Sequence, residues 1–180
     1  MIFVTVGTHE QPFDRLVKAV DGLKEKGFIS GEVFIQTGYS SYTPRFCEYS
    51  DFIGFDEMIE RMNNADVVIT HGGTGSIMLV LYNGKIPVVV PRQKKYGEHI
   101  DDHQVRFCEE MEHKGKILAV YETENLESTI ANYTRRVEAI LKQGKDPTAG
   151  GLKEQAGRFA RKLEEICLQL VKKERSSDKS

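Results

Sequence analysis

Met1 to Val6 is an unbroken apolar, β-branched run that stops at Gly7, the pattern of a buried strand. After it Phe13, Leu16, Val17, Val20 and Leu23 recur at helical spacing, with Pro12 in the first turn and Gly27 past the end. A β-turn-α unit therefore opens the chain. Glu32 to Thr37 and Asp51 to Ile53 read as further short strands, Gly38 to Pro44 as a polar loop, and Asp56 to Asn63 as a helix with Met58, Ile59 and Met62 on one face. The clearest segment is Asp66 to His71, a strand that runs into Gly72-Gly73-Thr74-Gly75-Ser76 and then into the apolar helical stretch Ile77 to Tyr82. Asn83-Gly84-Lys85 closes that helix. Ile86 to Pro91 is the next strand, bracketed by prolines that cannot continue a ladder.

A long polar loop, Arg92 to His99, follows. Helical spacing resumes over Ile100 to Met111, Ile117 to Val120 predicts a strand, and Leu126 to Leu141 and Leu152 to Val171 predict two amphipathic helices. Strands alternating with helices argue an α/β fold with a parallel sheet covered on both faces. The expected organisation is one domain over residues 1–171 and a frayed tail over 172–180. Ligands bind such sheets at the carboxyl ends of their strands, where the loops Gly7 to Gln11, His71 to Ser76 and Arg92 to His103 converge.

Composition narrows the partners. The 180 residues carry 25 Lys and Arg against 27 Asp and Glu, a net charge of -2, with no basic excess to neutralise the phosphates of DNA or RNA. Nucleic acid is excluded as an expected partner. No apolar run approaches the ~20 residues that cross a bilayer, and the first residues do not read as a signal peptide. Cys47, Cys108 and Cys167 are widely spaced and form no C-x-x-C pair, which fits reduced thiols in a cytosol.

Three clusters carry candidate chemistry. Gly72, Gly73 and Gly75 lie where a strand turns into a helix, so backbone amides can face an anion without a Cβ in the way. A lone glycine pair there would be read as a tight turn; three glycines with Thr74 and Ser76 favour a phosphate. The spacing is neither G-x-x-x-x-G-K-[ST] nor G-x-G-x-x-G followed by an acidic residue, so ATP hydrolysis and dinucleotide binding lose ground. Gly7-Thr8-His9-Glu10-Gln11 gives a second turn able to face the same anion, in which His9 is either a phosphate donor or a loop cap.

Gly97 to Gln104 gathers Glu98, His99, Asp101, Asp102, His103 and Gln104 around one turn before a helix. His99 and His103, four apart, would share a helix face as a zinc pair does, but with no H-E-x-x-H and no nearby cysteine the expectation is no metal and no cofactor. Asp101 and Asp102 suit a helix's first turn electrostatically, while the long amide of Gln104 suits a sugar or ribose hydroxyl. No D-x-D occurs, so helix amides rather than a metal would carry a leaving diphosphate, at ~3 kcal/mol per preorganised donor.

Taken together, Phe3-Val4-Thr5-Val6-Gly7-Thr8 with Phe13-Asp14-Arg15-Leu16, His71 to Ile77, Pro91 to Lys95 and His99 to Gln104 resemble the small, donor-binding subunit of split GT-B glycosyltransferases, the glycosyltransferase family 28 C-terminal-domain type. The relatives are the catalytic subunit that adds the second N-acetylglucosamine to dolichol-linked glycans and its bacterial exopolysaccharide and capsule counterparts. The resemblance implies a Rossmann-like half of a GT-B enzyme that binds a UDP-sugar. It further implies inverting transfer to a lipid-linked saccharide, the acceptor half being a membrane-anchored second subunit that recruits this chain from the cytoplasm to the inner face of the membrane. By position, Gly7 and Thr8 would approach the diphosphate, His71 and Gly72 to Ser76 would cradle it, and Asp102, His103 and Gln104 would lie by the sugar. The general base would belong to the partner, with His9 the local alternative.

One departure stands out. Where many relatives read Ser-Ile-(Met/Leu)-Glu, with the glutamate on ribose hydroxyls, this chain reads Ser76-Ile77-Met78-Leu79. The missing charge-assisted bond is worth ~1.5 to 3 kcal/mol unless Glu98, Asp101 or Gln104 compensates. A non-catalytic recruiting or stabilising subunit with a decayed donor site is the competing reading. Helix Leu152 to Val171 would pack on this chain's own sheet or on the partner.

Overall fold

The computed structural model describes residues 1–143. Six strands, β1 (Ile2–Thr5), β2 (Val33–Gln36), β3 (Glu48–Ser50), β4 (Val67–His71), β5 (Val88–Val90) and β6 (Leu118–Ala119), form one sheet in the order β3-β2-β1-β4-β5-β6. Every pairing is parallel, with Val4 opposite both Ile35 and Ile69 in the two central ladders. The strand order reverses direction between β1 and β4. In a doubly wound sheet that gap is where a crevice opens beyond the strand ends.

Alternate strand residues face opposite layers. Ile2, Val4 and Val6, with Val33, Ile35, Ile69, Val88 and Val90, pack against Leu16, Val17 and Val20 of α1 (Asp14–Glu25). The same cluster takes in Leu126 of α5 (Leu126–Ala131) and, partly buried, Val137 and Ile140 of α6 (Tyr133–Lys142). On the other face Phe3, Phe34 and Val68 meet Met62 of α2 (Phe55–Asn64) and Val80 of α3 (Thr74–Tyr82). Beside them Ile77, Leu81 and Val89 meet Cys108 and Met111 of α4 (His103–His113). Burial on both faces explains why the strands read as continuous apolar runs.

Several boundaries differ from the sequence reading, α3 for one beginning at Thr74 rather than Ile77, and three others have a visible cause. The third strand lies at Glu48–Ser50 rather than Asp51 to Ile53, on a sheet edge where Glu48 and Tyr49 are exposed and no apolar pattern marks it. The helix expected over Leu126 to Leu141 breaks at Asn132 into α5 and α6, and the Tyr133 hydroxyl then donates to the Ile86 carbonyl at 2.8 Å. Helix α4 starts at His103, not Ile100, whose side chain is exposed. Cys47 and Cys108 are free and buried, and burial pushes both thiols up to about 12. No helix among the described residues is long and apolar enough to cross a membrane. The expected helix Leu152 to Val171, the tail 172–180 and Cys167 lie outside the described residues.

Candidate active site

The turns after β1 and β4 meet over one imidazole. His71, the last residue of β4, is 9% exposed and lies between the two glycine turns. A Cβ on Gly7, whose φ is +77°, would stand 2.5 Å from His71 Cε1, and a Cβ on Gly73 would overlap His71 Nε2. Glycine is therefore required at both places, at Gly7 for its left-handed backbone as well as for space. Burial, and next the nearby Arg92 charge, push the His71 pKa down to about 4. The ring is neutral at physiological pH and supports the turns from beneath.

Above it α3 begins with Gly73 as its N-cap and no side-chain cap. The N–H groups of Thr74, Gly75 and Ser76 have no acceptor among the described residues, nor has that of Thr8 in the facing turn. Thr74 and Gly75 are exposed, Gly73 and Ser76 half-buried, and Gly72 buried. Three unfilled donors at an uncapped helix start, beside a turn that offers a fourth, form an anion cradle.

Side chains that the sequence reading passed over hold this cradle in shape. Gln36, the one polar residue of β2, accepts from the Thr5 hydroxyl at 2.6 Å and donates to the Gly7 carbonyl at 3.1 Å and the Asp51 carbonyl at 2.8 Å. Arg92 is wholly buried although it opens a segment read as a polar loop. Its guanidinium donates to the carbonyls of Val6 (3.0 Å), Gln11 (2.7 Å), Pro12 (3.3 Å) and Glu98 (3.2 Å), so three segments are tied at one point. Burial lowers its pKa to about 10, which leaves it charged at neutral pH. A polar residue inside an apolar strand was a legible signal for Gln36; for Arg92 the only hint was its place at a strand's carboxyl end.

The turn before α4 supplies the rest. Glu98 is buried, and both its oxygens are engaged: Oε1 with Arg15 Nε at 2.8 Å, Oε2 with an Arg15 terminal nitrogen at 2.9 Å and with the Gln93 N–H at 3.0 Å. Of the three groups weighed as a substitute for the ribose carboxylate, Glu98, Asp101 and Gln104, the first is thus engaged in the scaffold. Gln104 is also buried; its Oε1 accepts from the Arg92 N–H at 3.1 Å, its stem packs on Gly72, and its amide nitrogen has no partner among the described residues. Asp102 accepts from the Lys94 N–H at 2.8 Å through Oδ1, its one such bond among the described residues. His103 donates its N–H to Asp101 Oδ1 at 3.0 Å.

His9 caps its own loop, its Nδ1 accepting from the Gln11 N–H at 3.1 Å, and its ring lies 4.6 Å from that of His99, which in turn lies 4.5 Å from that of His103. The two histidines four apart do not share a helix face, since α4 begins only at His103; a turn brings their rings together. At position 79 the Leu side chain is half-buried against the cluster of Phe3, Met62 and Val80.

The family model described as glycosyltransferase family 28 C-terminal domain matches residues 1–163. Over 71 residues the chain is 37% identical to the UDP-N-acetylglucosamine transferase subunit ALG13 of Yarrowia lipolytica (strain CLIB 122 / E 150), a stretch that covers 39% of this chain and 34% of that protein. The match thus spans about a third of the relative's length. Among solved structures, the glycotransferase of kitacinnamycin superposes with a TM-score of 0.58 at 16% identity, over 89% of this chain and 42% of that one. SnogD of Streptomyces nogalater gives 0.54 at 17%, over 89% and 42%, and Acinetobacter baumannii MurG 0.53 at 16%, over 88% and 49%. These likenesses agree with a Rossmann-like half of the GT-B architecture. With the family model matched along nine-tenths of its length, the chain belongs to the glycosyltransferase family 28 C-terminal domain family.

Proposed function

We propose that this chain is the donor-binding subunit of a UDP-sugar-dependent glycosyltransferase, working with a membrane-anchored second subunit on a polyprenyl-diphosphate-linked saccharide, in exopolysaccharide or capsule assembly. The observation that carries the reading is the pair of glycine turns closed over His71, with the amides of Thr8, Thr74, Gly75 and Ser76 unfilled above it. The diphosphate lies in that cradle. The acceptor hydroxyl attacks the anomeric carbon from the opposite side, the bond from that carbon to the diphosphate oxygen breaks, and its electron pair leaves with UDP. Amide dipoles already aimed at the departing charge stabilise it without reorganisation. The hydroxyl proton passes to a base on the partner; His9 Nε2 is the local alternative, because Nδ1 is taken by Gln11.

Sugar recognition falls to the turn before α4. The free amide nitrogen of Gln104, the second oxygen of Asp102 and the His103 ring are the groups left for sugar hydroxyls. With Glu98 bound to Arg15 and Leu79 packed in the core, the ribose lacks a carboxylate from either position. Calorimetry with UDP and a panel of UDP-sugars, on the chain alone and on its complex with the cognate second subunit, tests this reading. Saturable UDP binding in the complex supports it. No binding in either sample transfers the chain to the recruiting, non-catalytic class that Leu79 favours.

A further inference from the structure

The histidines of this chain are not scattered. Three of its five, His9, His99 and His103, form a continuous chain of ring contacts 4.6 and 4.5 Å apart, and Asp101 stands among them. His99, Asp101 and His103 each offer a ligand atom, and the three atoms lie within 4.8 Å of one another. Asp101 Oδ1 is 2.6 Å from His103 Nδ1 and 3.3 Å from His99 Nδ1.

His103 Nδ1 shares a proton with Asp101 Oδ1, which satisfies that contact. His99 Nδ1 lies 3.4 Å from the Asp101 nitrogen and 3.3 Å from Asp101 Oδ1, so this ring nitrogen also points into the cluster.

From this we infer a binding site for a divalent transition metal of the zinc class, with His99, Asp101 and His103 as its protein ligands and water completing the shell. Tetrahedral zinc with bonds of about 2.0–2.1 Å spaces its ligand atoms roughly 3.3 Å apart. The His99–Asp101 pair already has that spacing, and the His103–Asp101 pair reaches it when the shared proton leaves and the exposed His103 ring swings out. Two imidazoles and one carboxylate are the donor set that zinc, nickel and copper prefer over magnesium or calcium. The site uses no backbone amide of the glycine turns, but it takes the His103 ring that the donor reading leaves for a sugar hydroxyl, so uptake is read on the chain without UDP-sugar, where it stands or falls apart from donor binding.

The test is metal uptake, not turnover. The full chain, freed of any affinity tag, is titrated calorimetrically with Zn²⁺ and followed by visible absorption with Co²⁺. One equivalent binding with a Kd of about 10 μM or tighter, and cobalt bands without the thiolate-to-metal transition that a cysteine ligand adds, support the site. His103→Ala and Asp101→Asn alter side chains that are about half exposed, 51% and 49%, and each should weaken binding at least ~10-fold while the thermal melt is unchanged. Absence of saturable uptake below ~1 mM, uptake unaltered in both variants, or a thiolate band overturns the assignment.

Discussion

Placing a methyl group on Gly73 is the most direct probe of the cradle. A Cβ there would overlap His71 Nε2, stand 2.9 Å from Cδ2 and 3.1 Å from Cε1, so the ring has to retreat by roughly an ångström. It has nowhere easy to go, since its Cε1 already sits where a Cβ on Gly7 would come within 2.5 Å and the side chain is almost wholly buried. Overpacking of this kind costs about 1–3 kcal/mol. For a chain of this length Gly73→Ala should lower the midpoint of thermal unfolding by roughly 2–12 °C. Gly75, two residues on, is the matched control: nothing lies within 4 Å of its Cβ position, and it stands in the first turn of α3. Gly75→Ala should be neutral or stabilise by up to about 1 kcal/mol through helix propensity. Differential scanning calorimetry of the two variants decides the matter. A Gly73→Ala protein that melts like the parent, or a Gly75→Ala protein that suffers equally, would refute the packing of His71 between the turns.

Other outcomes follow from the same geometry. His71 is held near pKa 4 in the folded chain against about 6.5 when unfolded, so the unfolded state gains a proton first and stability falls as pH drops from 6.5 towards 4. Urea unfolding at pH 5 should show a loss of about 2 kcal/mol relative to pH 7.5; a flat profile contradicts a neutral, buried ring. Glu98→Ala strands the largely buried Arg15 guanidinium and should cost about 3 kcal/mol in the same assay, with a change below ~1 kcal/mol arguing against a structural ion pair. Arg92→Met leaves four carbonyls without their donor and should destabilise by several kcal/mol; measured UDP binding should weaken even at temperatures where the variant stays folded. Under the proposed mechanism, in which amide donors carry the leaving group, sugar transfer by a reconstituted complex should persist in EDTA; abolished transfer, restored by added magnesium, rejects that mechanism.

The sequence made the central strands legible because β1, β4 and β5 are buried on both faces and carry polar residues only towards their carboxyl ends. The glycine turns were equally visible, as only close backbone approach explains so many small residues at strand ends. Edge strand β3 was misplaced by three residues: exposed on its outer side, it has no apolar signature. The residues bracing the site were hidden for a different reason. Arg92 and Glu98 look like ordinary surface charges, and only the fold reveals that one reaches carbonyls 80 or more positions earlier in the chain and the other an arginine 83 positions away. Nor could spacing disclose the meeting of His9 with His99, which depends on two loops arriving at the same sheet edge.

The knot at Arg92 also bears on redesign. Loops around such a crevice invite exchange between relatives to alter what is recognised, each treated as a separable cassette. Here, a graft of the stretch around residues 92–104 alone would orphan acceptors belonging to the opening turn, and a graft of that turn alone would strand a buried cation. Segments 6–12 and 92–98 therefore have to be transplanted as a set, with position 15 included, for a chimera to inherit a working shape.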